Sequence, residues 1–81
     1  MIYYVYLLRC KDNSLYCGLT TDLKRRVREH NKGKKSAKYT RGRRPVKLVY
    51  FESYTTINEA LAREAEIKNW PKIKKESIIK T

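Results

Sequence analysis

Two runs of hydrophobic and aromatic residues, separated by a short polar break, open the chain and predict a β-hairpin. Residues 2–9 are rich in β-branched, aromatic and aliphatic side chains, which favour a buried strand. Lys11-Asp12-Asn13-Ser14 is a turn signal, and residues 15–20 predict the returning strand. The first twenty residues therefore predict two antiparallel strands.

A helix is predicted after this hairpin. A polar residue at 20–22 can cap it, and the helix then runs to about Asn31 and stops at Gly33. One face of this helix carries an apolar stripe with an arginine beside it: Leu23, Val27, His30 and Arg26. A further helical turn is predicted over residues 37–41.

The second half of the chain predicts a strand and two helices. Pro45 opens a strand over Val46–Tyr54, because proline costs no ladder hydrogen bond at the first position of a strand. Thr56 and Glu59 fit a capping box for a helix that runs to about Asn69. In the strand that follows Pro45, strict alternation places Val46, Leu48 and Tyr50 on one face and Val49 and Phe51 on the other. Both faces of this strand are therefore expected to be covered. A short last helix follows Pro71.

The element order is thus β-β-α-(α)-β-α-α. It predicts an α+β fold with a small three-stranded antiparallel sheet flanked by helices. A length of 81 residues predicts one domain spanning residues 1–81, with a small core.

Charge is concentrated in one part of the chain. The net charge is +12, and residues 24–47 hold twelve basic residues and one acidic residue. Such a segment favours a polyanionic partner, with nucleic acid first and an anionic membrane or acidic protein second. A merely solubilising surface usually mixes both signs. The predicted phosphate-binding residues are Lys24, Arg25, Arg28, Lys34, Lys35, Lys38, Arg41, Arg43 and Arg44.

The two cysteines, Cys10 and Cys17, are too few for a disulfide framework and lack zinc-ligand spacing. We expect both to be free thiols. The N-terminal apolar run has no preceding basic region and no cleavage site, and it is shorter than a membrane span. These features predict a cytoplasmic protein with no membrane partner.

Glu64 is the acidic residue with the most informative position. The inward stripe of its helix is formed by Ile57, Ala60, Leu61, Ile67 and Lys68, and Glu64 lies within it. Glu59, by contrast, can pair with Arg63 four residues on. A carboxylate beside a buried face needs a cation or strong donors. A salt bridge to a basic residue of the first helix and a divalent-metal site both satisfy this requirement.

The tyrosines of the hairpin have two interpretations. Tyr6 and Tyr16 can be packing residues, since strands favour aromatic side chains. Basic neighbours such as Arg25, Arg26 and Arg28 would lower the pKa of a tyrosine and allow it to act as a base. His30, taken alone, suits packing better than catalysis.

Four motifs occur in order along the chain: Tyr4-Val5-Tyr6, Tyr16-Cys17-Gly18, Thr20-x-Asp22-Leu23-x-x-Arg26-x-x-x-His30-Asn31 and Arg63-Glu64-x-x-Ile67-Lys68. Together they resemble the GIY-YIG nuclease domain over nearly the whole chain. The segment from Ala37 to Pro45, followed by Leu48-Val49-Tyr50, is similar to a small stand-alone bacterial branch whose members are mostly uncharacterised.

The resemblance implies a role for each motif residue. Tyr6 would activate the attacking water, Tyr16 would orient the nucleophile or phosphate, and His30 would support them. Arg26 would stabilise charge at the scissile phosphate. Glu64 would hold one divalent cation, Mg²⁺ or Mn²⁺, which polarises the phosphate.

The predicted function is a metal-dependent endonuclease that acts on nucleic acid, with DNA favoured over RNA, and uses no small-molecule cofactor. Its selectivity would be for structure or absent, because backbone contacts carry no sequence information. The alternative is a non-catalytic nucleic-acid-binding module that keeps the nuclease fold. Catalysis needs both tyrosines near one phosphate, so either the hairpin loop has an odd length, such as residues 11–13, or one strand carries a bulge. We also expect Arg26 and Glu64 to approach that tyrosine face from their helices.

Overall fold

A computed structural model describes residues 1–33 and 38–79 of the chain. It shows the predicted α+β class and element order, with three antiparallel strands in the order β2-β1-β3. The strands are β1 (Tyr3–Arg9), β2 (Leu15–Thr20) and β3 (Lys47–Tyr54). The helices are α1 (Leu23–Lys32), α2 (Lys38–Arg41), α3 (Ile57–Lys68) and α4 (Lys72–Ile78). The predicted phosphate ligands Lys34 and Lys35, and the predicted start of a helical turn at Ala37, lie outside the described residues.

The connection between β1 and β2 closes on Cys10 and Ser14 and leaves a loop of three residues, 11–13. The Cys10 amide donates to the Ser14 carbonyl at 2.9 Å, and the Asn13 amide donates to the Cys10 carbonyl at 2.9 Å. Asn13 has a φ of 70°, in the left-handed region that asparagine tolerates better than most residues. The resulting register places Leu8 opposite Tyr16, so the predicted odd-length loop is confirmed.

The sheet buries a different cluster on each of its two faces. One face packs against α3, and its buried residues together with those of the helix are Val5, Leu7, Cys17, Ala60 and Ile67. The other face, which we call the tyrosine face, packs against α1 through Tyr6, Leu8, Cys10 and Val46, with Leu23 and Val27 against them. The helix stripe predicted for α3 is narrower than expected, because Ile57 and Leu61 are exposed.

Strand β3 does not alternate strictly, and the prediction that it would is wrong. Its pairing with β1 shifts between Leu7, which faces Tyr50, and Leu8, which faces Leu48. A bulge inserts one unpaired residue, so Val49 and Tyr50 both pack toward the α3 side. Phe51 then lies opposite Tyr6 and is 52% exposed rather than covered.

Side-chain caps fix the starts of both long helices. The candidates for the cap of α1 are Thr20, Thr21 and Asp22, and the structure shows that Asp22 is the cap. Its carboxylate accepts a hydrogen bond from the Arg25 amide at 3.1 Å. The capping box of α3 forms, with the Thr56 hydroxyl accepting from the Glu59 amide at 3.3 Å and donating to the Glu59 carboxylate at 2.8 Å. The prediction that Glu59 pairs with Arg63 is wrong, because the Arg63 guanidinium donates to two other carboxylates, those of Glu52 and Glu66.

The bond between Arg63 and Glu52 ties α3 to β3. Arg63 donates to both oxygens of Glu52 at 2.9 Å, and the hydroxyls of Tyr50 and Tyr54 donate to the same carboxylate. Burial raises the pKa of Glu52, but hydrogen bonds from Arg63 and the two tyrosines outweigh this and lower it to about 2. Glu52 is therefore ionised and fully engaged at neutral pH.

Cys10 and Cys17 are buried free thiols, as predicted. Burial raises the pKa of Cys17 to about 11, which keeps it protonated at neutral pH. Within residues 1–33 and 38–79, no helix has the length and apolar content needed to cross a membrane.

Candidate active site

Tyr6 and Tyr16 meet on the tyrosine face. Tyr6 pairs with Gly18 and Leu8 with Tyr16, so the two tyrosines are diagonal neighbours on adjacent strands. Their ring centroids are 6.4 Å apart. The hairpin register therefore places both tyrosines at one site.

Gly18 leaves the space that the Tyr6 ring occupies. A Cβ atom at position 18 would lie 2.4 Å from the Tyr6 hydroxyl oxygen and 2.5 Å from Cζ, closer than non-bonded atoms approach. Tyr6 is only 1% exposed, so its ring has little room to retreat. The glycine of the second motif thus has a steric role in seating the tyrosine of the first.

A chain of hydrogen bonds runs inward from Tyr6 through His30 to Thr40. The Tyr6 hydroxyl lies 3.0 Å from His30 Nε2, and His30 Nδ1 lies 2.7 Å from the Thr40 hydroxyl. His30 and Thr40 are fully buried. Because α1 supplies His30 and α2 supplies Thr40, the chain joins both helices to the sheet.

His30 is a neutral imidazole at physiological pH. Burial and the nearby Arg26 guanidinium lower the pKa of His30 to about 4. A neutral imidazole has one N–H donor and one acceptor nitrogen. With the proton on Nδ1, His30 donates to Thr40 and accepts the Tyr6 hydroxyl proton at Nε2, so both ring nitrogens are satisfied.

The positively charged side chain of Arg26 contacts the outer end of these hydrogen bonds, at Tyr6. Its guanidinium donates to the Tyr6 hydroxyl and, at 3.0 Å, to the Glu29 carboxylate. Burial nevertheless raises the pKa of Tyr6 to about 12, in spite of the hydrogen bond from Arg26. The expectation that basic neighbours lower the pKa of this tyrosine is therefore wrong, and Tyr6 is a neutral phenol at neutral pH.

Helix α2 covers the other tyrosine. The Tyr16 ring contacts His30 at a centroid distance of 5.1 Å and stacks on Tyr39 at 5.9 Å. Arg43 lies over the far part of this stack, 4.1 Å from the Tyr39 ring centroid, and its Nε donates to the Asp12 carboxylate at 2.9 Å. Arg43, a predicted phosphate ligand, is thus engaged in holding α2 against the hairpin loop.

The remaining predicted phosphate ligands differ in exposure. Arg44 is half-buried and donates to the Gly33 carbonyl at 2.8 Å. Five of the predicted residues are exposed to solvent: Lys24, Arg25, Arg28, Lys38 and Arg41. The exposed cations lie on α1 and α2, the two helices that also supply His30 and Thr40.

Glu64 lies on the other side of the sheet from the tyrosines. Its helix, α3, packs against the face that carries Cys17, and the Cys17 thiol lies 4.0 Å from the Glu64 carbonyl. The Glu64 carboxylate pairs with Lys68 of the same helix at 3.3 Å, and its side chain is 18% exposed. The expectation that Arg26 and Glu64 both approach the tyrosine face is thus correct for Arg26 only, because the helix of Glu64 covers the opposite face. The predicted salt bridge between Glu64 and a basic residue of α1 is also wrong, because Lys68, the cation that pairs with Glu64, belongs to α3.

The donor set at Glu64 suits a hard cation that keeps its waters. Across the described part of the chain, no group of three or more histidine, cysteine, aspartate or glutamate side chains is placed to hold a metal ion together. Mg²⁺ commonly binds through one or two carboxylates, several waters and substrate phosphates. A single carboxylate beside the edge strand fits that mode of binding.

Tyr39 and Thr40 are the site residues that the sequence did not single out. Both lie in the Ala37–Pro45 segment, which carried the family resemblance without indicating a role for either. Thr40 had one available signal, since it is a polar residue in a short predicted helical turn close to His30 in sequence. Its contact with His30 depends on how α2 packs, which the local sequence pattern does not report.

The comparison with protein families gives the class of this protein. A family model described as the GIY-YIG catalytic domain matches residues 2–77. The chain therefore belongs to the GIY-YIG family, and the predicted family membership is confirmed.

Relatives and solved structures place it more narrowly. The UPF0213 protein of Haloquadratum walsbyi is 57% identical over 76 residues, which cover 94% of this chain and 84% of the relative. The UPF0213 protein of Staphylococcus haemolyticus is 51% identical over 77 residues, covering 95% of this chain and 93% of the relative. The solution NMR structure of the UPF0213 protein from Bacillus halodurans has 47% sequence identity and a TM-score of 0.63, and the match covers 98% of this chain and 83% of that chain. The chain is thus similar to small UPF0213 proteins over nearly its whole length.

Proposed function

We propose that this protein is a divalent-metal-dependent endonuclease that hydrolyses phosphodiester bonds in DNA, either structure-selectively or without selectivity. Membership of the GIY-YIG family, whose members are generally endonucleases, supports the nuclease class. The observation that carries the proposal is the buried chain from Tyr6 through His30 to Thr40, with Arg26 at its outer end.

Tyr6 acts as a proton relay in this proposal. With a pKa of about 12, it is a neutral phenol and does not exist as a preformed base at neutral pH. Its hydroxyl oxygen takes a proton from the attacking water as its own proton passes to His30 Nε2. Thr40 holds the His30 ring so that Nε2, rather than Nδ1, faces the tyrosine.

Arg26 connects phosphate binding to the basicity of His30. A phosphate oxygen beside the Arg26 guanidinium would be stabilised as negative charge develops during attack. The same anionic group offsets the positive charge that helps to lower the pKa of His30. Substrate binding therefore makes His30 a better proton acceptor.

Glu64 would hold the divalent cation, and a cation bound there would supply Lewis-acid polarisation of the phosphate and stabilise the leaving oxygen. Mg²⁺ or Mn²⁺ suits a site with one carboxylate. Glu64 lies beside Cys17, which is the residue between Tyr16 and Gly18 on the edge strand β2. A DNA strand that follows this edge would meet both the carboxylate and the tyrosine face.

The test is nicking of a supercoiled plasmid with Mg²⁺ or Mn²⁺. We expect the wild type to nick the plasmid, EDTA to abolish nicking, and both Tyr6→Phe and Glu64→Ala to reduce it by about 100-fold or more. Glu66→Ala is the matched control, since Glu66 is an exposed acid two residues away on α3, and it should nick normally. A wild type that does not nick with either metal ion, or a Glu64→Ala variant as active as the wild type, contradicts the proposal.

The exposed cations of α1 and α2 favour one alternative, a nucleic-acid-binding module without catalysis. Such a module would bind DNA through these cations yet leave the plasmid intact with either metal ion. Binding combined with an absence of nicking would therefore replace the nuclease proposal with this one.

A further inference from the structure

A pair of aromatic rings, one exposed and one half-buried, lies on the tyrosine face beside the candidate site. Phe51 is 52% exposed and pairs directly with Tyr6 across β1 and β3. The ring of Tyr4, two residues before Tyr6 on the same face, meets the Phe51 ring at 5.9 Å in a T-shaped contact. We call Tyr4 and Phe51 the aromatic platform.

The core does not require the platform. The buried cluster on this face extends from Tyr6 toward Leu8, Cys10 and Val46, and Phe51 belongs to neither buried cluster of the described residues. The bulge in β3 turns Phe51 toward the tyrosine face instead of the α3 side. A T-shaped contact uses one ring face of the pair, so π surface remains available for another ring.

The position of the platform favours a nucleobase as its occupant. Neighbouring strands are about 4.8 Å apart, so Phe51 lies one strand away from the residue proposed to act on the phosphate. Arg26 hydrogen-bonds to Tyr6, and Tyr6 pairs with Phe51, so a strand whose phosphate contacted Arg26 would have a neighbouring base within reach of Phe51. Aromatic side chains stack on any base, because every base has a π face. The excess of cations in residues 24–47 also favours a polyanion over a protein partner.

We propose that the aromatic platform stacks one unpaired nucleobase adjacent to the scissile phosphate. This inference rests on the proposed nuclease function and gives it a substrate class. Bases within a duplex are stacked on each other, so only a single-stranded, frayed or flipped base can reach Phe51. The protein therefore acts on nucleic acid that has an unpaired nucleotide at the cleavage position.

The test measures binding, separately from cleavage, by fluorescence anisotropy in EDTA. The two probes are a fluorescein-labelled oligothymidylate and a strand of the same length with an abasic site at every position, which keeps the phosphates and lacks the bases. Phe51→Ala should weaken binding of the oligothymidylate by roughly 5- to 150-fold, the equivalent of about 1–3 kcal/mol for one stacked base. The same variant should bind the abasic strand as the wild type does, and Phe51→Trp should restore binding of the oligothymidylate.

Two controls keep the outcome interpretable. Phe51 is exposed, so Phe51→Ala should fold, and circular dichroism checks this. Sedimentation checks whether the platform is instead a contact between two copies of the chain.

Equal losses of affinity for both probes, no loss for either, or a wild-type dimer that Phe51→Ala dissociates would each overturn the inference. A wild type that nicks plasmid while Phe51→Ala binds the oligothymidylate normally overturns this inference alone, whereas a wild type that binds neither probe overturns the proposed function as well.

Discussion

Among the three glycines, Gly18 is the one at which an added methyl group meets the closest neighbour. Gly18→Ala places Cβ 2.4 Å from the Tyr6 hydroxyl oxygen in a site where Tyr6 is buried. Relief requires the ring to move, which breaks its hydrogen bond to His30. We expect a loss of about 1–3 kcal/mol in the free energy of unfolding, measured with urea. We also expect a loss of about 100-fold in plasmid nicking.

Gly42 provides the matched control for that substitution. A Cβ atom added at position 42 meets no other atom within 4 Å. Gly42→Ala should therefore leave both the unfolding free energy and the nicking rate close to wild type. If Gly18→Ala behaved like Gly42→Ala, the close packing of Tyr6 against the edge strand would be refuted.

Sequence predicted residues well where a short segment determines their position. Thr56 is predicted as a cap, and Asp22 is one of three predicted candidates, because a cap depends on the next three residues. The pKa of Tyr6 was predicted in the wrong direction, because its burial depends on α1 and β2 together. Thr40 was not singled out at all, since its hydrogen bond to His30 spans ten residues and two helices.

At the scale of elements, the hairpin was more predictable than β3. The length of the loop decides which residues of β1 and β2 share a face, and the turn signal at residues 11–14 indicates that length. The bulge in β3 depends on its partner β1, which is distant in sequence, so strict alternation misplaced Tyr50 and Phe51. Glu64 was correctly placed near the inward stripe of α3, yet the sequence did not report which face of the sheet that helix covers.

The attachment of α3 to β3 through Glu52 leads to a prediction about acid stability. The pKa of Glu52 is about 2 in the folded protein, below its ordinary value of 4.5. Its contribution to stability is therefore present above pH 4.5 and is lost as the pH falls toward 2. The pKa of His30 is also lowered, from 6.5 to about 4, so stability declines over that higher range as well. Two successive losses are expected on acidification.

Glu52→Gln should make the lower loss smaller and leave the higher one unchanged. The remainder of the lower loss belongs to Glu76, because its hydrogen bond from Arg9 also lowers the pKa of that carboxyl to about 2. It should also lower the unfolding free energy at neutral pH by about 2 kcal/mol, because hydrogen bonds to a charged group are weakened. Urea unfolding of the wild type and the variant across the acid range measures both effects. Glu66→Gln is the control, since Glu66 is the more exposed carboxylate on Arg63 and should keep both losses. An unchanged profile between pH 4.5 and 2 in Glu52→Gln would contradict the assignment.

At the scale of the whole molecule, charge and geometry agree. Residues 24–47 carry nearly all of the net charge, and their described part supplies α1 and α2. These helices also contribute Arg26, His30 and Thr40 to the candidate site. The cations that attract a polyanion therefore lie on the same elements as the groups proposed to act on it.

The last prediction concerns the salt dependence of binding. If about six cations of residues 24–47 contact phosphates, log affinity for duplex DNA should fall with log salt at a slope near −5, from roughly −0.9 per phosphate. Arg28→Ala, which removes an exposed cation of α1, should make this slope shallower by about 0.9. Lys72→Ala removes an exposed cation of α4, outside the basic segment, and should leave the slope unchanged. Anisotropy titrations in EDTA at several salt concentrations measure all three slopes. A wild-type affinity that barely changes between low and physiological salt would show that residues 24–47 do not bind a polyanion, because displaced counterions are the source of the dependence.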